Sequence, residues 1–145
     1  MSNAIKFSAA ASLALHAAAV MAGARGERVS TTQIAERLGV SEFHLSKVLQ
    51  QLAKAGLVRA TRGPTGGYRL TRPPAQLTVK EIYEALEGKL DIQHCLFGAP
   101  VCGKDECPLG SFLERLSREV RSGLGKMTIT DIRVPPRESA TESGT

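Results

Sequence analysis

The chain has 145 residues, enough for one compact domain or for one small domain with a long dimerising extension. Apolar residues make up 42% and charged residues 23%, which excludes disorder across the whole chain; with no Trp, four Phe and two Tyr, the core must come from Leu, Ile, Val and Ala. Residues 1–74 hold ten Lys/Arg against three acids, and residues 75–145 nine against eleven, so all the excess positive charge of the +5 chain sits in its first half. That asymmetry suits a polyanion-binding module joined to a neutral or acidic one, although a basic solubility surface would give the same sum.

Patterned sequence begins at Ile5 or Lys6, and residues 8–23 read as a helix with Ala10, Leu13, Ala14, Ala17, Val20 and Met21 at helical spacing. The apolar run from Ala9 to Ala22 is shorter than a membrane span and is broken by Ser12 and His16, and no leader with a cleavage site is visible. A cytoplasmic protein without membrane association is expected. Ser30-Thr31-Thr32-Gln33 fits a capping box for a short helix that Gly39 ends. Ser41 can then cap a longer helix with Leu45, Val48, Leu49 and Leu52 inward, closed by Gly56.

Two such helices around a glycine turn make a helix-turn-helix, and a hairpin directly after them makes it winged. Residues 57–60 can form a strand, residues 62–67 with Gly63, Gly66 and Gly67 a tight turn, and residues 68–70 the returning strand. Arg62 sits at the expected tip with Arg59 and Arg69 beside it. The helix from Ser41 would enter the major groove and present Glu42, His44, Ser46 and Lys47, with Thr32 and Ser41 on phosphates and Arg62 reaching the minor groove. Phe43 is expected to serve packing rather than base contact.

Residues 71–76, with Pro73 and Pro74, read as a restricted linker. Thr78-Val79-Lys80-Glu81 is a second capping box, opening a helix through Ile82 and Leu86 to Gly88. A loop over residues 89–107 comes next and holds all three cysteines, Cys95, Cys102 and Cys107, within thirteen residues. An odd, clustered set in a Gly/Pro-bearing stretch argues for a metal or cluster site, a thiol redox switch being the alternative. Zinc is the second candidate metal, since three Cys and one His make a sound tetrahedral set. Pro108 suits a first helical turn, after which Phe112, Leu113, Leu116, Val120 and Leu124 form an apolar stripe expected to be a dimer interface. No nucleotide loop or nucleophile constellation is present, so an enzyme is not expected.

Together these pieces resemble the winged-helix repressors that hold an iron–sulfur cluster in a loop, the IscR/NsrR/RirA-like family, over about residues 5–132. The wing from Leu57 to Leu70, with its Arg-Gly-Pro-Thr-Gly-Gly-Tyr, is the most specific stretch; Lys6-Phe7-Ser8 and the residues 79–88 also match. The resemblance implies a mainly α fold: a winged helix-turn-helix DNA-binding domain at 5–74, a cysteine loop and long C-terminal dimerisation helix at 75–132, and a disordered tail at 133–145. It also implies a homodimeric regulator of double-stranded DNA, sensing redox change or nitric oxide through a 2Fe-2S or 4Fe-4S cluster on Cys95, Cys102 and Cys107. The cysteines here are separated by six and four residues where IscR-like members show five and five, and Gly110 stands where IscR has a histidine. A fourth donor must come from elsewhere: His94 beside Cys95, Asp105 and Glu106 in the loop, and His16 on the first helix are the candidates, and His16 matches a first-helix position that completes the cluster across the dimer in several relatives. Ser46 and Lys47 fall where IscR reads bases through a Glu and a Gln, which implies a different operator.

Overall fold

A computed structural model of the protein describes residues 6–91 and 107–136. The chain order is helix α1 (Ala9–Gly23), α2 (Thr31–Leu38), α3 (Glu42–Lys54), strands β1 (Val58–Thr61) and β2 (Gly67–Leu70), α4 (Val79–Glu87) and α5 (Pro108–Lys126). Short 3₁₀ turns at Pro74–Gln76 and Ile129–Asp131 complete it. The fold is a mainly helical winged helix, as the sequence implies.

Local chemistry sets the helix boundaries. Ser30 Oγ accepts the Gln33 N–H at 3.1 Å while Gln33 Oε1 accepts the Ser30 N–H at 2.9 Å, closing the first capping box. Thr78 and Glu81 close the second in the same way. Gly39 ends α2 in the left-handed region at φ +68°, which swings the chain into α3 without a Cβ clash. β1 is shifted one residue later than expected, and β2 begins one residue earlier and ends at Leu70 as expected; they pair antiparallel, with Arg59 opposite Arg69 and Ala60 opposite Tyr68.

α1 departs from the one-sided stripe expected of it. Ala11, Ala14, Leu15, Ala17, Ala18, Ala19 and Met21 are all buried, because α2, α3, α4 and β2 close around it and its alanines let them approach. The core joins this helix to Ile34, Leu45, Leu49, Leu52 and Val58, and to Leu77, Val79, Ile82 and Ile129 from beyond residue 75. Ile132 and Val134 pack against the same core, and the Val134 carbonyl accepts from Arg37 at 2.9 Å. The start of the expected tail is thus part of the folded unit, since an apolar side chain and a cationic partner hold it there.

α5 is different. Among its nineteen residues only Ser117 is buried. It packs against α4, and Arg121 anchors it by donating to the Leu90 carbonyl at 3.1 Å and to Asp91 at 3.2 Å. Among the described residues no helix is long and apolar enough to cross a membrane.

Candidate nucleic-acid interface

α3 is held from beneath by Leu45, Val48, Leu49 and Leu52, all buried. At 3.6 residues per turn, the arc diametrically opposite those side chains carries Phe43, Lys47, Gln50 and Lys54, at i, i+4, i+7 and i+11. All four are exposed. Of the expected reading residues, Lys47 lies on this arc, at its edge toward His44, which flanks it on the side toward α1, while Glu42 and the half-buried Ser46 flank the arc on the other side. Sequence reasoning misses Phe43, Gln50 and Lys54 as members of this face. Simple angular counting from Leu45 and Leu52 is the signal that finds them.

Phe43 is a correction. It is 66% exposed rather than packed, because the core beneath α3 is already filled by the leucines half a turn away. Its ring lies 4.4 Å from the Lys47 Nζ, a cation–π distance, and meets the His44 ring edge-on at 5.8 Å. Ser41 caps the helix by accepting the Phe43 N–H at 3.2 Å, which leaves its hydroxyl hydrogen free for a phosphate oxygen. Thr32, on the first turn of α2, is likewise exposed.

The wing adds three exposed arginines. Arg59 and Arg69 face each other across the two strands, and Arg62 stands at the turn. Like charges directly opposite on a hairpin cost stability, and an anion lying against the pair would offset that cost. The wing is fixed to the body by a bridge in which Val29 and Tyr68 exchange backbone hydrogen bonds at 2.9 and 2.8 Å. That bridge explains Gly67. A Cβ there would stand 2.6 Å from the Val29 carbonyl oxygen, so only glycine allows the strand so close. A shallow groove between α2, α3 and the wing, lined by Thr31, Gln50, Arg62 and Tyr68, joins the two cationic surfaces.

Of the expected cluster ligands, Cys107 is described, and Cys95 and Cys102 lie outside the described residues. Cys107 is the N-cap of α5, and its Sγ accepts the Gly110 N–H at 3.4 Å. The sulfur thus stands at the first turn of α5 with a backbone N–H on it. His16 is exposed on α1; its Nδ1–H donates to the Ser12 carbonyl at 2.7 Å, which leaves the Nε2 lone pair outward. It lines a groove with Val40, Ser41 and His44 of its own helix-turn-helix. Among the described residues, no three His, Cys, Asp or Glu side chains come together as a metal site.

The expected dimer residues fall on two sides of α5. Phe112 and Leu116 are exposed, Leu113 and Val120 half-buried, and Leu124 turns onto the chain's own core.

Comparison with known proteins agrees with this geometry. The model of a family described as "Rrf2: Iron-dependent Transcriptional regulator" matches residues 7–134. The chain is 38% identical over 109 residues to the HTH-type transcriptional regulator IscR of Cereibacter sphaeroides, covering 73% of this chain and 70% of that one. It is 39% identical over 87 residues to protein aau3 of Rhizobium meliloti, and spans only 54% of that relative's length. Among solved structures it is similar to CymR, the global cysteine regulator of B. subtilis, with a TM-score of 0.71 at 28% identity over 88% of this chain and 95% of that one. T. potens IscR superposes with a TM-score of 0.68 at 30% identity, covering 88% and 85%. With its wing, its cationic reading helix and a family match across nearly all of its described length, the chain belongs to the Rrf2 family of winged-helix, DNA-binding transcriptional regulators.

Proposed function

We propose that this regulator acts as a homodimeric repressor on a partly palindromic operator, and that its DNA affinity responds to an iron–sulfur cluster held by Cys95, Cys102 and Cys107. The observation that carries this reading is the double role of Cys107: it is the last of the three clustered cysteines and also the N-cap of α5. Any change of state at its sulfur therefore acts on the first turn of the helix that bears the apolar stripe. The donor set suits the cluster, because cysteine sulfurs are its preferred ligands and Cys107 is held in place as the N-cap of α5. When bound, the cluster would supply sensitivity to oxidants and nitric oxide. The chain's own part is to hold the thiolates and couple them to α5.

His16 is the proposed fourth donor, supplied by a second copy. The Ser12 carbonyl fixes its tautomer and frees Nε2, the arrangement usual for a ligating histidine. The wing and α3 read the DNA: Arg59, Arg62, Arg69, Thr32 and Ser41 on the backbone, and Glu42, His44, Ser46 and Lys47 toward the base edges. One winged helix makes too small an interface for tight specific binding, so the stripe on α5 brings two together.

Purification without oxygen, followed by visible absorption with iron, sulfide and zinc analysis, tests the cofactor. A coloured protein with matching iron and sulfide is expected. A colourless zinc-loaded protein, or a metal-free one whose DNA binding follows thiol oxidation, would overturn the cluster. His16→Ala should leave folding and dimerisation intact but change the spectrum. An unchanged spectrum there, with a changed one in His94→Ala, would place the fourth ligand beside Cys95 instead.

A further inference from the structure

Phe43 is the most exposed large apolar side chain among the described residues, and it stands on the face that carries cations. Among the described residues it belongs to no apolar cluster. One side of the ring is engaged by the Lys47 ammonium and its rim by His44, while the ring as a whole remains 66% exposed. Its place in the helix is fixed by the Ser41 cap one turn below Lys47, on the arc diametrically opposite Leu45 and Leu52. Whatever α3 meets in a DNA groove, Phe43 meets first.

A phenyl ring cannot donate or accept the hydrogen bonds that distinguish most base edges. The major groove offers it one apolar feature, the C5-methyl of thymine, which no other unmodified base carries there. We propose that Phe43 is a specificity-determining residue that reads a thymine methyl in each operator half-site. Lys47, held over the same ring, is thereby aimed at the neighbouring acceptor, a guanine edge or a phosphate. The ring and the ammonium thus form one reading unit, in which apolar contact selects thymine and the cation–π contact sets the direction of the charge. This rests on the assignment of α3 as the reading helix and adds the base class that it selects.

The test uses the full chain and duplexes it selects from a randomised pool. Each thymine of the selected half-site is replaced in turn by deoxyuridine, which removes one methyl group and leaves every hydrogen-bonding group in place. One position per half-site is expected at which the replacement weakens binding about fourfold, the value of one buried methyl. Phe43→Ala should bind the thymine duplex more weakly and be insensitive to deoxyuridine at that position. Phe43→Leu, which keeps an apolar contact without the ring, should retain the sensitivity. Phe43 is exposed, so both variants should keep the helix content of the parent. If Phe43→Ala lost affinity but stayed as sensitive to deoxyuridine as the parent, the ring would only position Lys47 and the methyl reading would be overturned. Equal affinity of Phe43→Ala and parent would overturn it as well. Selection of no duplex at all would instead overturn the reading-helix assignment beneath it.

Discussion

Two surfaces of this molecule are exposed among the described residues, and they differ in kind. The face made by α3 and the wing is cationic, with Lys47, Lys54, Arg59, Arg62 and Arg69 exposed around a single phenyl ring. One side of α5 carries an apolar stripe, with Leu109, Phe112 and Leu116 exposed and Val120 half-buried, beside the exposed Arg115 and Glu119. The side of α5 that meets its own chain is the poorer one, made of Gly110, Ser117 and Arg121 with Leu124 at its edge. α1 shows the opposite economy: it buries seven of fifteen residues, and its apolar side chains are satisfied within the chain. The lesson concerns completeness. Where a helix leaves an apolar stripe exposed, as α5 does, that stripe is where the proposed second copy would dock. Where like charges face each other, as Arg59 and Arg69 do, the proposed partner is an anion.

The largest effect should come from giving the apolar surface the character of a charged one. Leu116 and Val120 lie one turn apart on the stripe, and each would gain roughly 1.5–3 kcal/mol on full burial in a pair of chains. Changing both to Glu would forfeit that and place charges in a desolvated seam. Sedimentation should show monomers, and binding to a palindromic duplex should fall steeply, while thermal unfolding stays cooperative because neither residue belongs to the core. A variant that remains dimeric would move the interface off this stripe.

A smaller effect, with opposite signs on stability and binding, is expected on the cationic surface. Arg69→Thr removes one of two like charges that face each other across the wing and puts a β-branched residue in a strand. The free protein should gain a few tenths of a kcal/mol, and DNA affinity should fall with a shallower salt dependence. If stability and affinity fell together, Arg69 would be holding the wing rather than the anion.

Much of the winged helix is legible in the sequence because its punctuation is local. The Ser30–Gln33 and Thr78–Glu81 boxes, the Gly39 turn and the Pro108 start each depend on residues within four positions, and the structure has them where the sequence places them. The features that escape it depend on distant neighbours. An aromatic in a helix is buried by default, so residue type alone assigns Phe43 to packing; angular counting from Leu45 and Leu52 puts it outward, and the filled core under α3 shows why it stays there. The burial of α1 beyond a single stripe needs the positions of the elements packed around it. The opposition of Arg59 and Arg69 needs the strand register, which a hairpin sequence leaves open by one residue. Cys95 and Cys102 are legible as a pattern of spacing and stay at that level.

The smallest effect concerns the joint between the two surfaces, where the chain leaves the wing and enters α4, the helix on which α5 rests. Glu81 accepts the Thr78 N–H at 3.0 Å and pairs with Arg72 at 2.8 Å, tying the segment after β2 to the first turn of α4. Partial burial raises its pKa, but the Thr78 hydrogen bonds and the Arg72 guanidinium outweigh it, and the carboxyl ends below its ordinary 4.5. A folded-state pKa below the unfolded one gives stability that is present above pH 4.5 and is lost as pH falls through the folded value. Glu81→Gln keeps an oxygen to accept from Thr78 and removes only the charge. The variant should therefore be slightly less stable than the parent at neutral pH, the difference being small because both partners are about a third exposed, and the two should converge in acid. Thermal unfolding of both proteins across that range checks this. A stability gap that stayed constant with pH would mean that the amide fails the cap and that the charge contributes nothing to the joint.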